Sequence, residues 1–202
     1  MRIEWMEQDS AEWWQLKSGK IGGTRFGKVI SNRKNRLIYE LMNETLDGQY
    51  SIDEFISEEI QYGVDNEPIA LRMYELQTGN KVQRVGAIIS DYSDIHLASP
   101  DGITIDKGIV QEVKCTMNGD IHLQRIFEGV ESSYLPQCIN YFAVTDEIKE
   151  VHFISYCDIR SERTLHIIPL KREQFEDKIS LGRKRVIQIG KELKSKLKAY
   201  RF

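Results

Sequence analysis

Cysteine and histidine are scarce in this chain, and neither is clustered. Cys115, Cys138 and Cys157 lie far apart and are odd in number. That argues for reduced thiols in a cytosol and against a disulfide framework. The four histidines are equally scattered, so no zinc-binding spacing arises. No apolar run approaches the ~20 residues that span a bilayer, and the opening MRIEWMEQDS lacks the apolar centre of a secretory signal. Internal repeats, low-complexity tracts and linker-like stretches are missing too. What is there is a chain of 202 residues, 41% hydrophobic and 29% charged, the balance of an ordinary globular protein. It is long enough for a substantial core and reads as one domain, 1–202.

The net charge of −3 argues against a nucleic-acid partner only until its distribution is read. From Leu181 to Phe202 there are eight basic residues and one acid, Glu192, a local +7 that leaves −10 for the rest of the chain. A smaller basic group, Arg33, Lys34 and Arg36, lies nearer the start. Basic segments on an acidic body suit phosphate-binding surfaces beside a carboxylate-rich centre. The solvated face of a helix gives the same C-terminal pattern.

The periodicities predict helices first, a sheet second and a helix last. Asp9 with Glu12 three residues on resembles a capping box for a short helix that Gly19 ends. Thr24 is placed to cap a second helix, and Leu37, Ile38, Leu41 and Met42 give a third its apolar face. A longer helical region is expected from about Ile52 to Leu76, interrupted at Gly63 and Pro68 and closed by Gly79. Strands are expected at about Val82–Ile89, Ile95–Ala98, Ile103–Ile105 and Ile109–Cys115. Helices near Gly119–Glu128 and Leu135–Val144 follow, then strands at Val151–Tyr156 and Thr164–Pro169, and a terminal helix over roughly Lys171–Ala199. The fold class is α/β (α+β), a central mixed sheet flanked by helices. An N-terminal helical part (1–80), a catalytic sheet with its helices (81–170) and a basic C-terminal helix (171–202) make up the domain.

One stretch carries chemistry. Ser99-Pro100-Asp101-Gly102 has turn residues that hold a carboxylate at a strand end. On the next strand Glu112 and Lys114 share a face, while Val113 and Cys115 point to the other. Clustered carboxylates repel and take up protons unless a hard cation neutralises them. Mg²⁺ suits such oxygen donors, and beside a lysine it supports attack of water on a phosphodiester.

SPDG, then EVK with ten residues between Asp101 and Glu112, resembles the PD-(D/E)xK signature of metal-dependent nucleases on a restriction-endonuclease-like core. Within that class the chain is similar to the phage-type alkaline exonucleases, the lambda exonuclease or YqaJ viral recombinase family. Four blocks carry the resemblance in the family's order, from Trp13 to Thr145: WWQLKSGKIGGTRF, YGVDNEPIALRMYE, ASPDG followed by QEVKC, and SSYLPQCINYFAVT.

The resemblance implies that Asp101 and Glu112 bind the metal, with the Val113 carbonyl as a further ligand, and that Lys114 is the catalytic lysine. Glu67 resembles the helix-borne acid that completes the metal site. Tyr134 and Gln137 match the block that arranges the scissile phosphate and water, making Gln137 part of the catalytic set. Lys17 and Thr24 match positions that grasp the 5′-phosphate of a DNA end, where the lambda enzyme has an arginine and a serine; neighbouring Lys20 and Arg25 add positive charge. The function implied is a Mg²⁺-dependent 5′-to-3′ exonuclease on double-stranded DNA, with Mn²⁺ as a substitute. It yields 5′-mononucleotides and 3′ overhangs for recombination with a single-strand annealing protein. A homotrimeric ring in the cytoplasm of a bacterial host, encoded by phage or prophage, is implied with it.

Two alternatives stay open: an endonuclease of restriction or repair type, and an inactive DNA-end-binding protein. Trp13, Trp14 and Phe26 read as packing residues, and Arg125 as a surface arginine.

Overall fold

The computed structural model describes residues 1–50, 57–159 and 161–201. Its elements in chain order are β1 (Arg2–Glu4), α1 (Ala11–Lys17), α2 (Gly23–Ile30), α3 (Lys34–Asp47), α4 (Glu58–Thr78), β2 (Ala87–Ile89), β3 (Leu97–Ala98), β4 (Gly102–Thr104), β5 (Ile109–Cys115), α5 (Gly119–Glu128), α6 (Leu135–Val144), β6 (Glu150–Tyr156), β7 (Leu165–Lys171) and α7 (Glu176–Tyr200). β1, β2 and β3 form a small antiparallel sheet. β4-β5-β6-β7 form the main sheet, antiparallel except where β5 runs parallel to β6. Helices α5 and α6 make the crossover that a parallel pair requires. The expected mixed sheet flanked by helices is what forms.

Alternation along the strands gives the main sheet two different faces. Val110, Val151, Phe153 and Leu170 join one core with residues of α2, α3, α6 and α7. Val113, Ile154, Tyr156 and Leu165 join a second core with Ala70, Leu71 and Tyr74 of α4. α7 lies close against α2: a Cβ on Gly182 would fall 2.3 Å from Cζ of Phe26. Phe26 is fully buried and so packs as expected.

Several boundaries differ from the sequence reading. Ser10, not Asp9, caps α1, its hydroxyl accepting from Trp13 N at 3.2 Å; Asp9 takes a left-handed φ of 63° just before it. Gly22 precedes α2 as its cap, and Thr24 lies inside the helix. The first part of the long helical expectation, Ile52 to Ile56, falls outside the described residues. From Glu58 onward α4 is unbroken through Gly63 and Pro68. Pro68 removes the donor for the Val64 carbonyl, but Val64 is exposed, where water serves that acceptor. The stretch from Val82 narrows to Ala87–Ile89 plus a single bridge between Gln83 and Ile103. β1 has only three residues, too few for a period-2 signal, and is specified by its pairing with β2.

Candidate active site

The Ser99–Gly102 turn joins β3 to β4 and places Asp101 beside β5. Gln8 fastens the turn, donating to the carbonyls of Pro100 at 2.8 Å and Val85 at 2.9 Å. The Asp101 carboxylate accepts from Val113 N at 2.6 Å, which ties the turn to the catalytic strand. Glu112 and Lys114 project from β5 toward α6, as their alternation requires.

Glu112 is fully buried. One of its carboxylate oxygens meets the Lys114 ammonium and the other accepts from the Tyr141 hydroxyl. The same ammonium donates to the Val113 carbonyl at 3.1 Å, and Tyr141 also donates to the Ser99 carbonyl at 3.3 Å. Burial pushes the Asp101 pKa well up, and repulsion from Glu112 adds to it, against the pull of Lys114. Burial works against the charge on Lys114, but Glu112 and Asp101 outweigh it and hold its pKa above the ordinary value. The centre is therefore a buried acid and a half-buried one facing a single lysine.

Glu67 acts on this group through its charge. Its carboxylate is engaged by Arg84, and burial raises its pKa against the opposing charges of Arg84 and Lys114. Among the described residues no three or more acids, histidines or cysteines lie close enough together to hold a metal ion. The donors that do converge, carboxylates and the Val113 carbonyl, are all oxygen, the chemistry of a hard cation. They fit Mg²⁺ in kind, and the lysine ammonium already occupies them as a cation.

α6 closes the site. Tyr134, Gln137 and Tyr141 fall at i, i+3 and i+7, one stripe of the helix. The Lys114 ammonium is 5.4 Å from the centre of the Tyr134 ring. Gln137 hydrogen-bonds the Tyr141 side chain and also touches the start of α2, where a Cβ on Gly23 would lie 2.8 Å from Gln137 Cγ. That close approach requires glycine.

The N-terminal block lies on the other side of Gln137. Trp13 is buried, its indole donating to the Gly86 carbonyl at 2.7 Å, so it packs as expected. The Lys17 ammonium sits 3.6 Å from the centre of the Trp13 ring, 4.9 Å from Trp14 and 5.2 Å from Tyr50. Burial lowers its pKa to about 8. Arg25 is spent inside the protein: it forks onto the buried Glu44 carboxylate and donates to the Lys20 carbonyl at 2.9 Å. Thr24 is exposed on the first turn of α2, a helix with no side-chain cap on its leading N–H groups.

The sequence reading missed Tyr141 and Arg84, and it misplaced Arg125. Arg125 is not at the surface: it is 3% exposed and donates to Glu131 at 2.8 Å and to the Lys114 carbonyl at 3.0 Å. A helical stripe drawn from Tyr134 through Gln137 would have reached Tyr141. Nothing local in the sequence marks Arg84 or Arg125, because their partners are distant turns of chain.

Residues 12–147 match the YqaJ-like viral recombinase domain. The chain belongs to that family. In structure this YqaJ-like protein is similar to an alkaline exonuclease, LHK-Exo, from Laribacter hongkongensis, at 25% identity and a TM-score of 0.81, over 95% of this chain and 96% of that one. The same Laribacter enzyme in complex with dAMP gives 25% identity and a TM-score of 0.82 over the same shares. A phage related exonuclease from Haemophilus somnus 129PT shares the fold, at 13% identity and a TM-score of 0.60, over 88% of this chain and 96% of that one. No curated protein matches the chain significantly in sequence. The expected fold and the expected enzyme class, a nuclease, are both those of the matching proteins.

Proposed function

We propose that the chain is a divalent-cation-dependent exonuclease that shortens linear double-stranded DNA from its 5′ ends, releasing 5′-mononucleotides and leaving 3′ overhangs. The observation that carries this reading is the Lys114 ammonium set between the Glu112 carboxylate and the Val113 carbonyl. With the half-buried Asp101 beside it, this is a cation-seeking oxygen cluster with a lysine at its mouth. Asp101, Glu112 and the Val113 carbonyl would hold the cation, with Glu67 joining from α4 on release from Arg84. Mg²⁺ is the natural occupant and Mn²⁺ a substitute. When bound, the cation neutralises phosphoryl charge and acidifies a water.

The chain's own residues supply the rest. Lys114, displaced from its two oxygens, holds the attacking water through Nζ and favours its deprotonated form. Tyr141 fixes the Glu112 carboxylate, and Gln137 links Tyr141 to the start of α2. Tyr134 and Gln137 border the scissile phosphate. The uncapped N–H groups of α2, the Thr24 hydroxyl and Lys17 would receive the terminal 5′-phosphate. Arg25 acts there by shaping the pocket, since its fork is held by Glu44. A phosphate anchor only two side chains, Gln137 and Tyr141, away from the catalytic acids favours removal of a terminal nucleotide over internal cutting. The dAMP complex of the Laribacter enzyme fits a mononucleotide product.

With this reading go a single-strand annealing protein as partner, a ring-shaped homotrimer through which DNA threads, and the cytoplasm of a bacterium carrying a phage or prophage. The test is digestion of end-labelled linear duplex beside a closed circle, with Mg²⁺ and with EDTA, for wild type and Lys114→Ala. Loss of 5′-terminal nucleotides from the linear form alone, dependent on Mg²⁺ and abolished by the substitution, is the expected result. Cutting of the circle would make the enzyme an endonuclease, and retention without cutting would make it a DNA-end-binding protein.

A further inference from the structure

α2 has two flanks. Gly23 and Gly27 press on Gln137 and Pro136 of α6, toward the catalytic acids. Thr24 and Lys28, on the other flank, form one wall of a cleft whose opposite wall is Arg36, Tyr39 and Glu40 of α3. Tyr50 also lines it, its ring tilted against Trp14 with centres 5.1 Å apart and carrying the Arg25 guanidinium at 4.7 Å.

Two features of the cleft point to a ligand. Tyr39 is 59% exposed, an aromatic face left in water on a wall. Three cations surround it, against a single carboxylate. Lys28 and Arg36 share Glu40, at 2.8 and 3.2 Å, and the Lys196 ammonium of α7 lies 5.1 Å from the Tyr39 ring centre. The Arg36 side chain is 92% exposed, so it can swing from Glu40 to a phosphate at little cost. A stacking face beside surplus positive charge is how proteins hold unpaired nucleotides. Duplex DNA offers no free base to such a wall. The α3 wall from Arg36 to Asn43 is ~10 Å long, room for about three stacked nucleotides at ~3.4 Å each.

We propose that the α2–α3 cleft receives the unpaired nucleotides of a 5′ overhang, so that the enzyme engages 5′-extended duplex ends as well as blunt ones. This rests on the exonuclease reading above. A strand that reaches the catalytic acids passes the start of α2. A blunt strand ends there, while a 5′-extended strand lays an internal phosphate there and continues along the far flank into the cleft, so its first cut releases the overhang as a short oligonucleotide before mononucleotides follow. Tyr39 stacks on an overhang base, and Arg36, Lys28 and Lys196 hold its phosphates.

The experiment compares duplexes with a short 5′ overhang, a blunt end and a 3′ overhang, for wild type and an Arg36→Gln, Tyr39→Ala variant altered only at exposed positions. The variant is expected to lose about tenfold in kcat/KM on the 5′-overhang duplex, the loss of one stacked base, and to change less than about twofold on the other two. In EDTA, a duplex bearing 5-iododeoxyuridine in the overhang is expected to photocrosslink to Tyr39 of the wild type. An unchanged ratio between overhang and blunt substrates, or a crosslink only on other helices, overturns the cleft assignment while leaving the exonuclease reading intact. Equal losses on all three duplexes also overturn it, since the cleft would then serve every end. A wild type that cleaves none of the three overturns the exonuclease reading and the cleft assignment together.

Discussion

Gln111 and Glu112 are neighbours on β5 and equally buried, yet they face opposite sides of the sheet and live in different chemistry. Gln111 faces α4, in a neutral network. Its amide donates to the Tyr74 hydroxyl at 3.2 Å and to Thr104 at 3.1 Å, and the same hydroxyl accepts from Asn80 at 2.8 Å and meets His152 Nδ1 at 2.8 Å. Glu112 faces α6 among charges, held by Lys114 and Tyr141 beside Asp101. Hydrogen bonds are enough to settle a buried neutral group. A buried carboxylate needs opposite charge, and two of them with one lysine remain short of it. The α4 face is held by hydrogen bonds among mostly neutral groups, with Gln111 Oε1 left without a partner, whereas the α6 face carries surplus negative charge that the proposed cation would balance.

Removing the charge balance has the largest expected effect. Lys114→Met should lower cleavage of linear duplex by about 10³-fold. It should also lower unfolding stability by roughly 3 kcal/mol, because Glu112 and Asp101 then face each other unpaired. Adding Glu112→Gln to the same chain should restore most of the stability and none of the activity; chemical denaturation measures the first and the end-labelled assay the second. If the double variant is as unstable as the single one, the charge account of this face is wrong.

On the opposite face, Tyr74→Phe leaves Asn80, Gln111 and His152 without their shared hydroxyl. Stability should fall by about 2 kcal/mol with kcat unchanged. A large drop in kcat instead would show that the two faces are not separable. Tyr141→Phe tests the catalytic face more gently. With the buried Glu112 carboxylate freed on one side, kcat should fall about tenfold and stability by about 2 kcal/mol, since a charged acceptor loses its donor.

Lys17 is the intermediate case, a cation resting on aromatic rings and not on an acid. Its pKa, lowered by burial to about 8, makes it neutral through the alkaline range. The preference for 5′-phosphorylated over 5′-hydroxyl ends should therefore fall by up to about tenfold between pH 7 and 9, and Lys17→Arg should flatten that profile. The stability sign is the reverse of an ion pair's. The folded pKa lies below the ordinary lysine value of 10.5, so between about pH 8 and 10.5 the unfolded chain binds more protons and this group's contribution to stability rises with pH. Lys17→Met should accordingly raise Tm at pH 7, by a margin that fades toward pH 10.

Much of this was legible beforehand where the signal was local. The Pro-Asp-Gly turn, the alternation that puts Glu112 and Lys114 on one face, and the stripe of α6 depend on neighbours in sequence. The errors fell where distant residues decide. Pro68 was read as a break, but the solvent beside Val64 lets α4 run on. Arg125 was read as exposed, because Glu131 and the Lys114 carbonyl come to it only once α5 packs on the sheet. The short β1 exists only through β2.

The sequence by itself determined the class of fold, the order of helices and strands, and the residue types of the Asp101–Glu112–Lys114 cluster, since period, turn chemistry and motif spacing are local properties. Only the tertiary structure decided that Tyr141 clamps Glu112, that Arg84 pairs with Glu67, that Arg25 is locked onto Glu44, and that a cleft opens behind α2. Each of these depends on which side chains meet across packed elements, and burial, which sets the strength of every charge in the site, is a property of the whole assembled chain.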